Sequence, residues 1–196
     1  MTTSARLRRS FALLLLWVAL TLGAEKAAAQ AGTLSPARVV TLSALRVGQL
    51  TVSLPAGNSR SIPSVTDGAV NTFTGTTTIV TQWNLNPGQT NSVSLVAFFS
   101  NPLIAMSGGA VQIPSSRILG RMTTGLPVAF TAFTQNGIGA VGTAGGSLRL
   151  FSVSITGANK NSSRTDNLDL QLNLVGFPTL PPGTYSGTLN IRAITQ

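Results

Sequence analysis

The sequence predicts an all-β protein, built as an antiparallel β-sandwich, on three observations. Apolar residues recur at every second position in short segments. Leu50/Val52/Leu54, Ile79/Trp83/Leu85 and Leu168/Leu170/Leu172/Leu174 are the clearest, and this is the period of strands half-buried in a sheet. Turn-forming clusters such as Pro55-Ala56-Gly57-Asn58 and Asn86-Pro87-Gly88 separate the segments at the spacing of a sandwich or barrel. Charged residues make up only 9% of the chain, too few for a helical bundle, which would draw on Glu and Lys for its exposed faces.

Residues 1–29 are set apart from the fold. Arg6, Arg8 and Arg9 precede an apolar run from Phe11 to Leu22, and Ala27-Ala28-Ala29 follows. A basic start, a short apolar run and small residues at a cleavage site define a secretory signal. Cleavage is expected after Ala29, with Ala31 as the second choice. The run is shorter than the roughly 20 residues of a membrane-spanning helix, so no membrane span is expected after cleavage. The remainder suffices for one domain with a real core.

Residues 30–47 read as an N-terminal arm and 48–196 as the sandwich domain. Val40, Leu42 and Ala44 alternate with Thr41, Ser43 and Leu45, which makes the arm a candidate for strand pairing. The first domain strand is expected through Leu54, and the next from Phe73 to Leu85 with Ile79, Thr81, Trp83 and Leu85 on one face. Ser92 to Ser100 is apolar on both faces, with Val93, Leu95, Ala97 and Phe99 opposed to Val96 and Phe98; such a strand belongs at the centre of a sheet. Short strands are expected around Val111–Ile113 and Arg117–Arg121, with a helical turn as the other reading of Ser115–Leu119. Val128–Phe133 reads as a strand, Asn136–Gly146 as a mobile loop or hairpin, Leu148–Ile155 as a strand, and Thr156–Thr165 as a polar turn. Leu168–Leu174 and Tyr185–Thr195 complete the set.

The C-terminal stretch is the most informative. Pro181-Pro182-Gly183-Thr184-Tyr185 forms a corner, and Leu189, Ile191 and Ala193 alternate with Asn190 and Arg192 beyond it. In immunoglobulin-like sandwiches a tyrosine in such a corner starts the penultimate strand. The expected fold is therefore an immunoglobulin-like sandwich lacking its last strand. Tyr185, Leu189, Ile191 and Ala193 are expected to face the core, and the Tyr185 hydroxyl to bond to backbone a few residues upstream.

The run from Leu180 to Leu189, with its P-x-G-x-Y pattern, resembles the C-terminal end of secreted spore coat protein U-like and chaperone–usher pilin-like subunits of Gram-negative bacteria. The resemblance implies an incomplete sandwich whose final strand borders a groove, filled first by a chaperone strand and then by a neighbouring subunit's arm. It also implies export to the periplasm or cell surface. The chain departs from many such subunits in lacking a disulfide and a near-terminal tyrosine.

Composition excludes most enzyme chemistry. The chain has no His and no Cys, which removes the common nucleophilic triads, thiolate metal sites and disulfides. No catalytic, cofactor-binding or metal-ligating residue is assigned. Gly137-Ile138-Gly139-Ala140-Val141-Gly142 matches a dinucleotide fingerprint, but a strand-like Leu148-Arg149-Leu150 follows where the fingerprint needs a helix. Asp166, Asn167 and Asp169 offer too few oxygens for calcium, and Asp166 and Asp169 fall on opposite faces of a strand. Asn161-Ser162-Ser163 matches a glycosylation acceptor and carries no weight behind a bacterial signal. Trp83 reads as core rather than a ligand platform, being in phase with Ile79 and Leu85.

The net charge is +9, yet the basic residues are scattered, without the clustered footprint of nucleic-acid binding. The leading expectation is a non-catalytic, exported structural or adhesive subunit working by strand pairing. Its partners would be a second copy, a periplasmic chaperone or a neighbouring subunit. The runner-up is a self-contained secreted or periplasmic sandwich binding a ligand, such as a glycan, through its loops. An outer-membrane barrel ranks third, lacking aromatic girdles and eight even strands, and a hydrolase fourth.

Overall fold

The computed structural model describes residues 39–43, 48–88, 90–108 and 111–196. The expected signal segment, most of the expected arm and Ala44 lie outside the described residues. The fold is all-β, as predicted. In chain order the strands are β1 (Val39–Ser43), β2 (Gly48–Ala56), β3 (Val70–Thr72), β4 (Thr77–Leu85), β5 (Ser92–Phe98) and β6 (Met106–Gly108). They continue with β7 (Val111–Ile113), β8 (Ile118–Met122), β9 (Thr131–Ala132), β10 (Ser147–Ser154), β11 (Asn161–Asn173) and β12 (Asn190–Thr195). One turn of 3-10 helix, Ser115–Arg117, precedes β8. No helix among the described residues is long and apolar enough to cross a membrane.

The larger sheet runs β1-β2-β4-β11-β8-β9, with β3 also on β11; the smaller runs β10-β5-β12, and β6 pairs β7. All pairings are antiparallel. The two sheets face each other across one core, with Ile79, Trp83, Leu168 and Leu172 from the larger sheet meeting Val93, Leu95, Leu148 and Ala193 from the smaller.

The period-2 signals decide this layering. Along β4 every second residue, Thr77, Ile79, Thr81, Trp83 and Leu85, is buried. Trp83 is a core residue whose indole Nε1 donates to the Asn159 carbonyl at 2.8 Å. β5 is central, as its two apolar faces predict: Val93, Leu95 and Ala97 enter the main core, while Val96 is buried on the far face with Ile138 and Val141.

That far face is covered by the segment expected to be a mobile loop or hairpin. Ile138 and Val141 exchange backbone hydrogen bonds of 2.7 and 3.0 Å around Gly139, whose φ is 56°. The resulting tight turn packs on Val96, Phe98 and Ile194, so the glycine-rich run closes a small second core.

Several boundaries differ from expectation. β11 begins at Asn161, inside the expected polar turn, because residues 161–165 gain a ladder with β4 from Asn161↔Asn84 to Thr165↔Val80. Only Thr131 and Ala132 of the expected Val128–Phe133 strand are paired. Pro127 has no N–H to donate to a ladder, and its carbonyl accepts from the Met122 N–H while Leu126 N–H bonds to Leu150 O. The final strand starts at Asn190 rather than Tyr185, because Ser186 is diverted into a reciprocal bridge with Ser107 of β6.

Candidate strand-addition groove

The C-terminal corner and β12 build one wall of the site. Tyr185 packs against the core, and its hydroxyl donates to the Pro181 carbonyl at 2.9 Å. Gly187 then passes so close to β6 that a Cβ on it would lie 1.9 Å from the Ala105 carbonyl oxygen; only glycine fits. Leu189 and Ile191 are partly buried against the core, Ala193 is buried and Arg192 is exposed. The inward register of Leu189, Ile191 and Ala193 follows from their spacing.

β12 has one neighbour among the described residues, β5. Gln196 and Ser92 exchange N–H···O bonds of 3.0 Å in both directions, and the register continues unbroken from Thr195↔Val93 to Asn190↔Phe98. Antiparallel pairs alternate between bonded and non-bonded. Ile194, Arg192 and Asn190 therefore point their main-chain groups at β5, while those of Thr195, Ala193 and Ile191 point to the open side. An unpaired edge of this kind is a template for another strand.

Among the described residues, the gap between the sheets is open beside the Leu189–Ile191 end of that edge. One cavity of about 450 Å³ is lined by Leu54, Phe73, Phe99, Ile118, Leu170 and Ile191 among others. A second, of about 540 Å³, shares Phe73, Met106 and Tyr185 with it and extends along Ile62 and Leu180. Together they form a groove of mixed polar and apolar lining with Arg60 at their junction. Arg60 Nε donates to Thr77 Oγ1 at 3.2 Å and Nη1 to Thr74 O at 3.0 Å. These bonds tie the turn after β2 to the turn before β4.

β12 packs over β2, and β1 hydrogen-bonds to the outer edge of β2 with Leu42 opposite Leu50. The described part of the arm and the open edge of β12 thus lie on one flank of the sandwich. Val40 and Leu42 are placed in β1.

The two aspartates lie on opposite faces of β11, and each is engaged by arginine. Asp166 is fully buried and accepts from Arg164 Nε at 2.6 Å, Arg164 Nη2 at 2.8 Å and Thr124 Oγ1 at 3.0 Å. Asp169 accepts from Arg121 Nη2 and Thr76 Oγ1, both at 2.7 Å. Burial pushes the Asp169 carboxyl up, but its bonds to Arg121 and Thr76 and the charges of Arg121 and Arg60 hold it below the usual carboxylate range. Sequence reasoning placed the two acids on opposite faces of a strand but missed these pairs, because the partners arrive from β8, the loop after it, the turn before β4 and β11 itself. Among the described residues no cluster of acids could hold a metal ion.

A separate shallow depression of about 450 Å³ lies on the outer face of β2, β4 and β11, lined by Gln49, Thr51, Gln82, Asn84, Asn161 and Ser163 with neighbours. No protein-family model and no curated protein sequence matches the chain.

Proposed function

We propose that this protein is an exported, non-catalytic structural or adhesive subunit of a bacterial cell surface that assembles by β-strand addition. One observation carries the reading: the outward main-chain groups of Ile191, Ala193 and Thr195 form a strand edge with β5 as its one neighbour among the described residues, and the Ile191 end of that edge borders a cavity lined by core side chains. An added strand gains main-chain hydrogen bonds from the edge and side-chain specificity from the pockets. The sheet order supports an immunoglobulin-like assignment. β2-β4-β11-β8 opposed to β5-β12 follows the A-B-E-D and C-F arrangement, with β10 an added strand on the far side of β5, and the open side of β12 corresponds to the place of strand G. The Tyr185–Pro181 bond supports it further, being the tyrosine-corner contact at the start of strand F. The donor is a periplasmic chaperone strand or the arm with Val40, Leu42 and Ala44 of a neighbouring subunit; since Val40 and Leu42 pair with β2 of their own chain, the arm must exchange that pairing for the edge of β12 on assembly.

The test is size-exclusion chromatography of the protein with and without residues 30–47, together with Leu42→Asp and Ala193→Pro. A proline at 193 removes an N–H that faces the open edge, which an edge strand tolerates. Assembly should fall in all three variants while the monomer remains folded. Loss of monomer stability in Leu42→Asp, with assembly unaffected, would mean that the arm serves only its pairing with β2 of its own chain and would overturn it as the donor. Unchanged assembly and melting in Leu42→Asp and Ala193→Pro overturns strand addition.

A second reading rests on the depression over β2, β4 and β11. Its amide and hydroxyl lining carries no charge, a surface suited to a neutral polyhydroxylated ligand such as a glycan. Glycan binding abolished by Gln82→Ala and Asn84→Ala, in a protein that stays monomeric, would favour it.

A further inference from the structure

The loop joining β8 to β9 exposes apolar residues on a fixed frame. Leu126 is 64% and Val128 71% exposed, Ala129 is exposed, and Phe130 is half-buried. Exposed apolar tips are ordinary when isolated. Here several are consecutive, and the loop beneath them is anchored on three sides. Met122 N–H bonds to Pro127 O at 2.7 Å, Leu126 N–H to Leu150 O at 3.0 Å, and Thr123 N–H to Asn167 O at 3.0 Å. Thr124 is held by its hydroxyl on Asp166 and by Arg164 Nη2 on its carbonyl at 2.6 Å. The apolar side chains are therefore presented in a set conformation and are not turned inward.

Arginines stand behind this tip. Arg164 grips the base of the loop, Arg121 lies 4.6 Å over the Phe130 ring, and exposed Arg149 lines a cavity of about 490 Å³ with Leu126 and Pro127. Both nearby acids are already committed, Asp166 to Arg164 and Asp169 to Arg121. The Arg149 guanidinium has no ion pair among the described residues. Arg164 and Arg121 are neutralised by these acids, so the charge offered beside the tip is that of Arg149. An apolar tip flanked by an unpaired arginine is complementary to an anionic lipid interface, where aliphatic residues enter the acyl boundary and the arginine meets headgroups.

We infer that the loop from Thr123 to Phe130 is a peripheral anchor that inserts Leu126 and Val128 into an anionic membrane surface. A convex tip suits a deformable bilayer, whereas a protein partner would need a matching socket. The placement leaves the groove accessible: Ile118 at one end of β8 lines the groove, and the loop begins after Met122 at the other. The two are separated by about 13 Å of strand. The anchor does not depend on strand addition.

The chain contains no cysteine, so a single introduced thiol reports its own location. Val128→Cys and, as a control near the groove, Asn58→Cys would each carry an environment-sensitive dye. The vesicles are equal parts phosphatidylglycerol and phosphatidylcholine, or phosphatidylcholine alone, with bromines on the acyl chains. The probe at 128 should shift to the blue and be quenched on the anionic vesicles only, and the probe at 58 should not respond. Arg149→Ala should weaken partition by about fivefold, and about 0.5 M salt should weaken it further. A probe at 128 that stays aqueous on anionic vesicles, or that responds no differently from the probe at 58, overturns the proposal. A silent probe at 128, combined with loss of self-assembly in Val128→Asp, would make the loop a protein interface and also overturn it.

Discussion

The Tyr185 hydroxyl donates to the Pro181 carbonyl oxygen, 2.9 Å away and four residues upstream. This bond closes the corner that turns the chain into β12, while the ring packs against the core beside the groove. Tyr185→Phe should cost on the order of 1 kcal/mol, the net worth of one hydrogen bond. Tyr185→Ala should cost about 3 kcal/mol as the ring is lost. Urea denaturation of the two variants checks both values. Full stability in Tyr185→Ala would show that the corner is not structural.

Gly187 offers a steric test of the same corner. A methyl there would lie 1.9 Å from the Ala105 carbonyl oxygen, which is backbone and has no rotamer to adopt. Gly187→Ala should therefore displace the segment from β6 and lower stability by about 1–3 kcal/mol. Faster amide exchange at Ser107 and Ser186, whose N–H groups bond across the bridge, would be the local signature.

The buried pair of Arg164 and Asp166 should be strongly non-additive. Arg164→Met leaves a fully buried carboxylate with Thr124 as its remaining side-chain partner, a loss of about 3–5 kcal/mol. Replacing both residues, as Arg164→Met with Asp166→Leu, should cost less than Arg164→Met alone, since no orphan charge remains. A double-mutant cycle in thermal unfolding decides it, and simple additivity would contradict the geometry.

Asp169 gives the molecule an acid-sensitive tie. Its folded-state carboxyl lies below the usual range, so its contribution is present above the unfolded value of about 4 and is lost as pH falls through the folded value. The melting temperature of Asp169→Asn should fall short of wild type at neutral pH. The gap should close as pH drops below about 4. A gap independent of pH would mean that the Arg121 and Thr76 contacts do not involve the charge.

Strands with their own hydrophobic alternation were legible from sequence, and those made by their neighbours were not. Ile79, Trp83 and Leu85 fixed the buried face of β4, and the doubly apolar β5 was correctly central. The Asn161–Thr165 start of β11 carries no apolar pattern and is a strand only because β4 lies beside it. The expected strand Val128–Phe133 fails in the opposite sense. It has the residues of a strand, yet only Thr131 and Ala132 are paired, and the bonds joining Thr124 to Asp166 and Arg164 hold the segment before it as a loop. The corner at Tyr185 was readable because its bond is local. The groove was not, since Leu54, Phe73, Phe99, Ile118 and Leu170 come from segments far apart in the chain.

The pairing of β12 with β5 also sets a clock. Residues 190–195 meet residues 93–98 across roughly a hundred intervening positions, and contacts so remote in sequence are the slow ones to form. Until they form, Val93, Leu95 and Ala97 lack the strand that carries Ala193 and half of the smaller sheet stays bare. A chain emerging from synthesis therefore cannot close its core early. It remains threadable and exposed to aggregation, and open to any extended segment able to hold β5 in the meantime.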